Sequence, residues 1–111
     1  RAWGDNATHG TLLVSSGDNF LAGANWAASM NSAQGDLYDA LAMQHIGYDA
    51  ICIGNHDFDF GPAVFADFVT QVGNAPFLSA NLDFSANTEL SALEGAGRIA
   101  SSIARDWAWV R

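Results

Sequence analysis

Two short apolar runs, each ending at a glycine or a small polar residue, most constrain the fold of this chain. They are TLLVSS at residues 11–16 and YDAICIG at residues 48–54. Runs of this length suit buried strands better than helices. Between them, residues 36–47 have helical spacing, with Asp36 as the expected N-cap and Gly47 as the stop. The order strand, helix, strand predicts a parallel pair joined by a right-handed crossover.

The remaining segments extend this alternation. Residues 17–35 show no sustained period and predict a long loop with at most a short helical turn. A second helix is predicted from Pro62 to Gly73, followed by a third strand at residues 75–84. Residues 89–110 predict a short helix or loop and then a weak terminal strand. The chain is therefore expected to form an α/β fold of mainly parallel β-α-β-α-β units.

Composition narrows the classes of partner. The chain has 111 residues, half of them hydrophobic, which suffices for one modest core. Four basic against twelve acidic side chains give a formal net charge of −8, which argues against nucleic acid as a partner. Bound metal ions can nevertheless bring a phosphorylated substrate to an acidic protein. No apolar stretch reaches the roughly 18 residues of a membrane span. Cys52, the only cysteine, is expected to be buried.

Polar side chains follow each of the first two predicted strands. Asp18 comes just after the first strand, and Asn55 and His56 come just after the second. The carboxyl ends of neighbouring parallel strands meet at one edge of a sheet, so these side chains are expected to converge. A carboxylate can bridge two divalent ions about 3.5–4 Å apart, and an amide oxygen can complete the shell of one ion. Asp59 could orient the imidazole of His56 and hold it protonated.

Simpler interpretations of the same residues stay open. Asp18 alone would be an ordinary turn residue, and Asn55 with His56 would be an Asx turn beside a loop histidine. His45, in the last turn of the first predicted helix, suits the helix dipole better than a metal. His9 has no acidic or cysteine partner at metal-binding spacing. Four phenylalanines are expected to pack in the core rather than to stack on a base. They are Phe58, Phe60, Phe65 and Phe68.

Three stretches carry a resemblance to a known family: SSGDNFLAG, YDAICIGNHDFDFGP and PFLSANLDF. They resemble the calcineurin-like metallophosphoesterases, and among these the branch of 5′-nucleotidases and 2′,3′-cyclic-nucleotide phosphodiesterases. The resemblance extends over nearly the whole chain. It implies part of the α/β metallophosphoesterase sandwich and two divalent metal ions, without selecting among Zn, Mn, Mg, Ca and Fe. It also implies a periplasmic or extracellular location, although no signal sequence is recognisable in the chain.

The resemblance also implies roles for individual residues. Asp18 corresponds to the aspartate that bridges the two metal ions, and Asn55 corresponds to a ligand of one of them. His56 corresponds to the catalytic histidine that stabilises the transition state, and Asp59 to the acid paired with it. Asp57 stands where relatives often carry Glu, and we interpret it as a supporting carboxylate rather than a ligand. The implied reaction is hydrolysis of a small phosphate ester of the nucleotide class, without a covalent enzyme intermediate.

The chain also departs from the family pattern. It has no Asp-x-His pair upstream of GDN and no histidine after His56, and two ligands are too few for two ions. We therefore expect residues 1–111 to be a fragment of a single catalytic domain, inactive or nearly so without the remainder of that domain. The alternative is a noncatalytic remnant, a binding or structural module with an incomplete metal site.

Overall fold

A computed structural model of the protein describes residues 11–104, which form a parallel sheet with helices. The sheet has four short strands, each paired in parallel with its neighbour. In spatial order they are β1 (Val14–Ser15), β2 (Ala50–Cys52), β3 (Phe77–Leu78) and β4 (Ile99–Ala100). The predicted α/β fold with parallel strands is confirmed, although the strands are shorter than the apolar runs that indicated them.

Four α-helices and one short 3₁₀ turn connect these strands within residues 11–104. The helices are α1 (Ala24–Met30), α2 (Tyr38–Ile46), α3 (Pro62–Val72) and α4 (Thr88–Gly95), and the 3₁₀ turn is His56–Phe58. The first helix occupies part of the segment predicted as a long loop. Helices α2 and α3 lie where the helical spacing indicated them, α4 lies in the segment predicted as a short helix or loop, and β4 follows it as expected. None of the helices in this part of the chain is long and apolar enough to cross a lipid bilayer.

The start of α2 differs from the prediction. The N-cap is Leu37, not Asp36, and no side chain caps the helix at that position. Leu37 is buried in the core, and its backbone N–H donates to Gln71 Oε1 over 2.8 Å. The N–H of Tyr38 donates to Ser29 Oγ over 2.9 Å. Side chains from α1 and α3 therefore satisfy two amides of this helix end, and Asp36 is not required for these two.

The core lies on one face of the sheet. Ile51, Phe77 and Ile99 occupy equivalent positions on three adjacent strands and are almost completely buried. Helix α3 packs on this face, with Phe65 and Phe68 lying 5.8 and 6.2 Å from the ring of Phe77. The apolar stripe of α3 thus faces the sheet, as its helical spacing predicts.

The opposite face of the sheet is open within the described part of the chain. Cys52, next to buried Ile51, is exposed, so the prediction that its thiol is buried is wrong. Alternate strand residues point to opposite faces, and the described helices cover only the face of Ile51. Val14 and Leu12, which alternate on β1 and just before it, are 56% and 60% exposed. A parallel sheet is normally covered on both faces, and within residues 11–104 this face carries exposed apolar side chains.

The predictions for the phenylalanines and histidines have mixed outcomes. Phe65 and Phe68 are fully buried, and the partly buried Phe58 packs against the core 4.9 Å from Phe65. Phe60 departs from the prediction because it is 37% exposed, at the rim of an aromatic cluster with Phe20 and Trp26. The remaining predictions concern His45 and His9. His45 is exposed in the last turn of α2, and His9 lies outside the described residues.

Candidate functional site at the carboxyl edge of the sheet

The loop after β1 brings Asp18 against the loop after β2. The Asp18 Oδ1 atom accepts a hydrogen bond from the backbone N–H of His56 over 3.0 Å. Two glycines permit this approach. A Cβ on Gly17 would lie 2.8 Å from the backbone nitrogen of Gly54, and a Cβ on Gly54 would overlap the carboxylate of Asp18. The predicted convergence of the two strand ends at one edge is therefore present.

Asp18 adopts an uncommon backbone conformation. Its φ angle is +53°, and it is the one non-glycine residue with positive φ in residues 11–104. Aspartate tolerates this left-handed region better than most residues, but the conformation still has an energetic cost. Gly17 precedes it with φ of +102°, so the chain reverses sharply as it leaves β1. This turn directs an exposed carboxylate across the sheet edge toward the second loop.

Asn55 and His56 begin the 3₁₀ turn after β2. Both side chains are exposed, and neither makes a capping hydrogen bond to this turn. Asn55 also borders a cleft of about 290 Å³ between the loops that follow β2 and β3, where Ser79 and Asn81 add polar groups. The sheet edge that carries the candidate site is thus open to solvent, and it extends to the loop after β3.

His56 and Asp59 form a hydrogen-bonded pair. The Nδ1 atom of His56 lies 2.8 Å from Asp59 Oδ2, and the two side chains are 47% and 42% exposed. The hydrogen bond to Asp59, followed by the negative charge of Asp59, raises the pKa of His56 above its ordinary value. The carboxylates of Asp18 and Asp57 act in the same direction with smaller effects. The pair therefore favours a protonated imidazole at an accessible position.

Asp57, the residue after His56, is buried. Its side chain is fully inaccessible and accepts three hydrogen bonds, one from the backbone N–H of Gly54 over 2.8 Å and two from Asn19. Burial raises the pKa of Asp57, while the hydrogen bonds from Gly54 and Asn19 act to lower it. The supporting role expected for Asp57 thus has a specific structural basis, because its carboxylate joins both loops.

Asn19 is a site residue that the sequence analysis did not single out. Its backbone N–H and its Nδ2 atom both donate to Asp57, over 2.7 and 2.9 Å. Its Nδ2 atom also donates to the carbonyl of Cys52 over 3.0 Å, and its Oδ1 accepts from Ser15 Oγ over 2.6 Å. The signal that the sequence offers for it is only its place directly after Asp18, because the burial of Asp57, which calls for donors, is a property of the folded chain.

Comparisons with known proteins support the resemblance seen in the motifs. The chain is 33% identical over 97 aligned positions to the trifunctional nucleotide phosphoesterase protein YfkN of Bacillus subtilis (strain 168), an alignment covering 75% of the chain. It is 35% identical over 77 positions to a snake venom 5′-nucleotidase of Gloydius brevicauda, covering 69%. It is also 35% identical over 71 positions to a 5′-nucleotidase of Bos taurus, covering 64%. The chain resembles the 5′-nucleotidase branch of the metallophosphoesterases.

This resemblance concerns a small part of each relative. The alignments span 6% of the Bacillus subtilis protein and 12% of each of the other two. No family model matches the chain, and no solved structure matches it. The resemblance to 5′-nucleotidases therefore rests on the three sequence relatives and on the motifs at the sheet edge.

The described residues do not by themselves fit the two metal ions that a metallophosphoesterase would hold. No group of three or more His, Cys, Asp or Glu side chains in residues 11–104 is arranged to bind an ion. Asp18 and Asn55 supply two oxygen-bearing side chains at one edge, and one Asp18 oxygen already accepts the His56 amide. Even a single zinc ion takes about four ligands, so a complete centre requires ligands beyond those described.

Proposed function

We propose that this chain is part of the catalytic domain of a nucleotide phosphoesterase, and that the sheet edge containing Asp18 and His56 contributes to its active site. The observation that carries the proposal is the contact between the Asp18 carboxylate and the His56 amide, beside the exposed pair of His56 and Asp59. The names of the three relatives support nucleotides as the substrate class. The proposed reaction is hydrolysis of a phosphate ester.

In this proposal His56 is the group that contacts the substrate. Asp59 engages Nδ1, so Nε2 is the nitrogen left to face a bound ester. A protonated imidazole can donate from Nε2 to a phosphoryl oxygen or to the oxygen of the leaving group, where negative charge develops during hydrolysis. Asp59 keeps the ring oriented and favours its charged form. Both side chains are exposed enough for a substrate to approach.

We assign Asp18 and Asn55 to the metal site of the longer protein. Their oxygens are the kind of donor that Mg, Mn, Ca and Zn ions accept, and Asn adds a ligand without adding charge. Other parts of the longer protein would have to supply the remaining ligands. Because two ligands hold an ion poorly, the 111-residue chain alone should bind Mn²⁺ or Zn²⁺ more weakly than about micromolar by calorimetry. Tighter binding would show that the chain contains ligands beyond this pair.

The decisive experiment uses the longer protein that contains this chain. Release of inorganic phosphate is measured with 5′-AMP, 3′-AMP and 2′,3′-cyclic AMP, the last with added phosphatase, and bound metal is measured by mass spectrometry. We expect His56→Ala to depress kcat by about 10²–10⁴ while metal content is kept, since this scale is typical of a lost acid-base group. Asp18→Ala should lower both activity and metal content. His45→Ala, an exposed histidine on α2, is the matched control and should change neither.

Equal loss of metal in the His56→Ala and Asp18→Ala proteins would contradict the separate roles assigned to these residues. Absence of hydrolysis by the unmodified longer protein, with every substrate and metal, would favour the second candidate function. That candidate is a noncatalytic binding or structural module with an incomplete metal site. The incomplete ligand set in residues 11–104 is the observation in its favour.

We also propose that the longer protein is exported. The support is the name of one relative, a snake venom protein. Fractionation of the source cells, with immunodetection of the longer protein, would test this. Recovery of the protein only in the cytosolic fraction would contradict it.

A further inference from the structure

Asn19 and Asp57 connect the two loops that form the candidate site. We propose that they act as a positioning pair, which fixes the Asp18 carboxylate beside the backbone of Asn55 and His56. Their importance for catalysis rests on the proposed function, since they act through residues assigned to that site. Neither residue is placed in contact with the substrate. Their effect would be on the geometry of the sheet edge, which is measurable without substrate.

The hydrogen bonds of Asp57 cross from one loop to the other. Its Oδ1 accepts from the Asn19 backbone, and its Oδ2 accepts from both the Asn19 side chain and the Gly54 backbone. A fully buried carboxylate is costly unless such donors surround it. Because the donors come from the loops after β1 and β2, the carboxylate stays satisfied only when the two loops remain in register.

The polar atoms of the Asn19 side chain are also all hydrogen-bonded. Its amide nitrogen donates to Asp57 and to the carbonyl of Cys52, and its amide oxygen accepts from Ser15. Both amide hydrogens and the oxygen therefore have partners on β1, on β2 and on the 3₁₀ turn. An alanine at this position would remove every one of these side-chain bonds and would keep the backbone donor to Asp57.

The backbone of Asp18 needs such support. Its positive φ is unfavourable for a residue with a Cβ, and the residue is exposed at the edge of the sheet. An unsupported loop would relieve this strain by rotating toward negative φ, which would carry the carboxylate away from His56. Asn19, the next residue in the chain, is held on both its backbone and its side chain. Fixing Asn19 thus limits the rotation available to Asp18.

The test is a nuclear magnetic resonance experiment on the 111-residue chain without metal. The Asp18→Ala variant first defines the resonance that the His56 amide takes when its hydrogen bond is absent. We expect Asn19→Ala to shift the His56 amide toward that position and to speed its hydrogen exchange roughly two- to tenfold, the scale of one hydrogen bond. Amides within α3, such as that of Val69, should keep their resonances. Asp57→Asn should act in the same direction.

Asn87→Ala is the matched control for general destabilisation. Asn87 Oδ1 caps α4 by accepting from the Leu90 N–H over 2.9 Å, far along the chain from the candidate site. This variant should perturb α4 and leave the His56 amide unchanged. If Asp57→Asn fails to fold, Asn19→Ala decides the matter. The proposal is overturned by an unaltered His56 amide in Asn19→Ala, by an equal change in Asn87→Ala, or by loss of the whole fold in Asn19→Ala.

This readout also separates the proposal from the proposed function. The His56 amide reports the placement of Asp18 in the absence of substrate and metal. If the longer protein is inactive, a shifted His56 amide in Asn19→Ala still supports the positioning pair. If the longer protein is active, an unshifted His56 amide still contradicts it.

Discussion

The Asp18 carboxylate accepts the backbone N–H of His56 over 3.0 Å, although 38 positions separate the two residues in the chain. This contact joins two strand ends that the sequence presents as separate motifs. It depends on close passage of the loops and on an uncommon backbone conformation, and it lies beside a charged pair at the surface. Each of these conditions can be tested separately.

The first prediction concerns close passage at Gly54. Substitution by alanine should destabilise the chain by about 1–3 kcal/mol, because the new Cβ would overlap the backbone and carboxylate of Asp18. Urea denaturation monitored by circular dichroism measures the change. Gly95→Ala is the control, since Gly95 lies in α4 with open space around it and the same change there should stabilise by about 0.5–1 kcal/mol. Unchanged stability in Gly54→Ala would show that the loops are further apart than described.

The second prediction concerns the backbone of Asp18. Asp18→Ala and Asp18→Gly both remove the acceptor for the His56 amide, but only glycine adopts the positive φ at this position without strain. The glycine variant should therefore be more stable than the alanine variant by about 1 kcal/mol. Paired urea titrations give this difference directly. If the alanine variant is equally stable, the positive φ of Asp18 carries no measurable strain.

The third prediction concerns the charge of His56. In metal-free protein with EDTA, the pKa of His56 should lie above its ordinary value because of the hydrogen bond and the charge of Asp59. Asp59→Asn should lower that pKa, as followed by the imidazole proton resonance in a pH titration. The His56→Ala variant identifies which resonance belongs to this ring. A pKa that is the same with and without the Asp59 carboxylate would contradict the pairing.

The same pairing has a consequence for stability. A folded-state pKa above the unfolded value means that protonated His56 stabilises the fold. This contribution is fully present below the unfolded pKa of about 6.5 and is lost as pH rises through the raised folded value. The stability difference between the unmodified chain and Asp59→Asn should therefore shrink as the pH is raised across this window. Denaturation at several pH values measures it, and a difference that grows toward alkaline pH would contradict the sign.

The fourth prediction concerns the open face of the sheet. The exposed Cys52 thiol should react with Ellman's reagent in the folded 111-residue chain at a rate within roughly tenfold of that in urea. The chain should also bind a hydrophobic dye or self-associate, because Leu12 and Val14 lie exposed on that side. The Cys52→Ser variant is the control for the thiol signal. A thiol that reacts only in urea, in a monomer that binds no dye, would show that this face is covered.

Much of the fold was predictable because periodicity and glycine stops act locally. The apolar spacing of α3 and the glycine that follows it define that helix without information from elsewhere. The cap of α2 was not predictable, because the donors at its first turn are satisfied by Ser29 and Gln71 from other helices. The exposure of Cys52 depends on which sheet face the helices cover, and strand alternation alone does not decide this.

The candidate site was predictable in part for the same reason. Asp18 and His56 follow strands, so parallel pairing was enough to bring them to one edge. Asn19 was missed because its role depends on the burial of Asp57, a tertiary property. The roles of Asp18, Asn55, His56 and Asp59 in catalysis stay predictions. These roles concern metal ions and a substrate, which bind to the chain after it has folded.

The bond from Asp18 ends on the main chain of residue 56, so its donor is present whatever side chain other than proline occupies that position. The backbone N–H of His56 therefore holds the two loops together, whereas the imidazole of His56 is the group proposed to contact the substrate. Under the proposed function, a substitution at position 56 would therefore lower turnover while the hydrogen bond that shapes the sheet edge persists. If the proposed function holds, relatives that lost this histidine would be inactive and would still keep the same contact between the two loops.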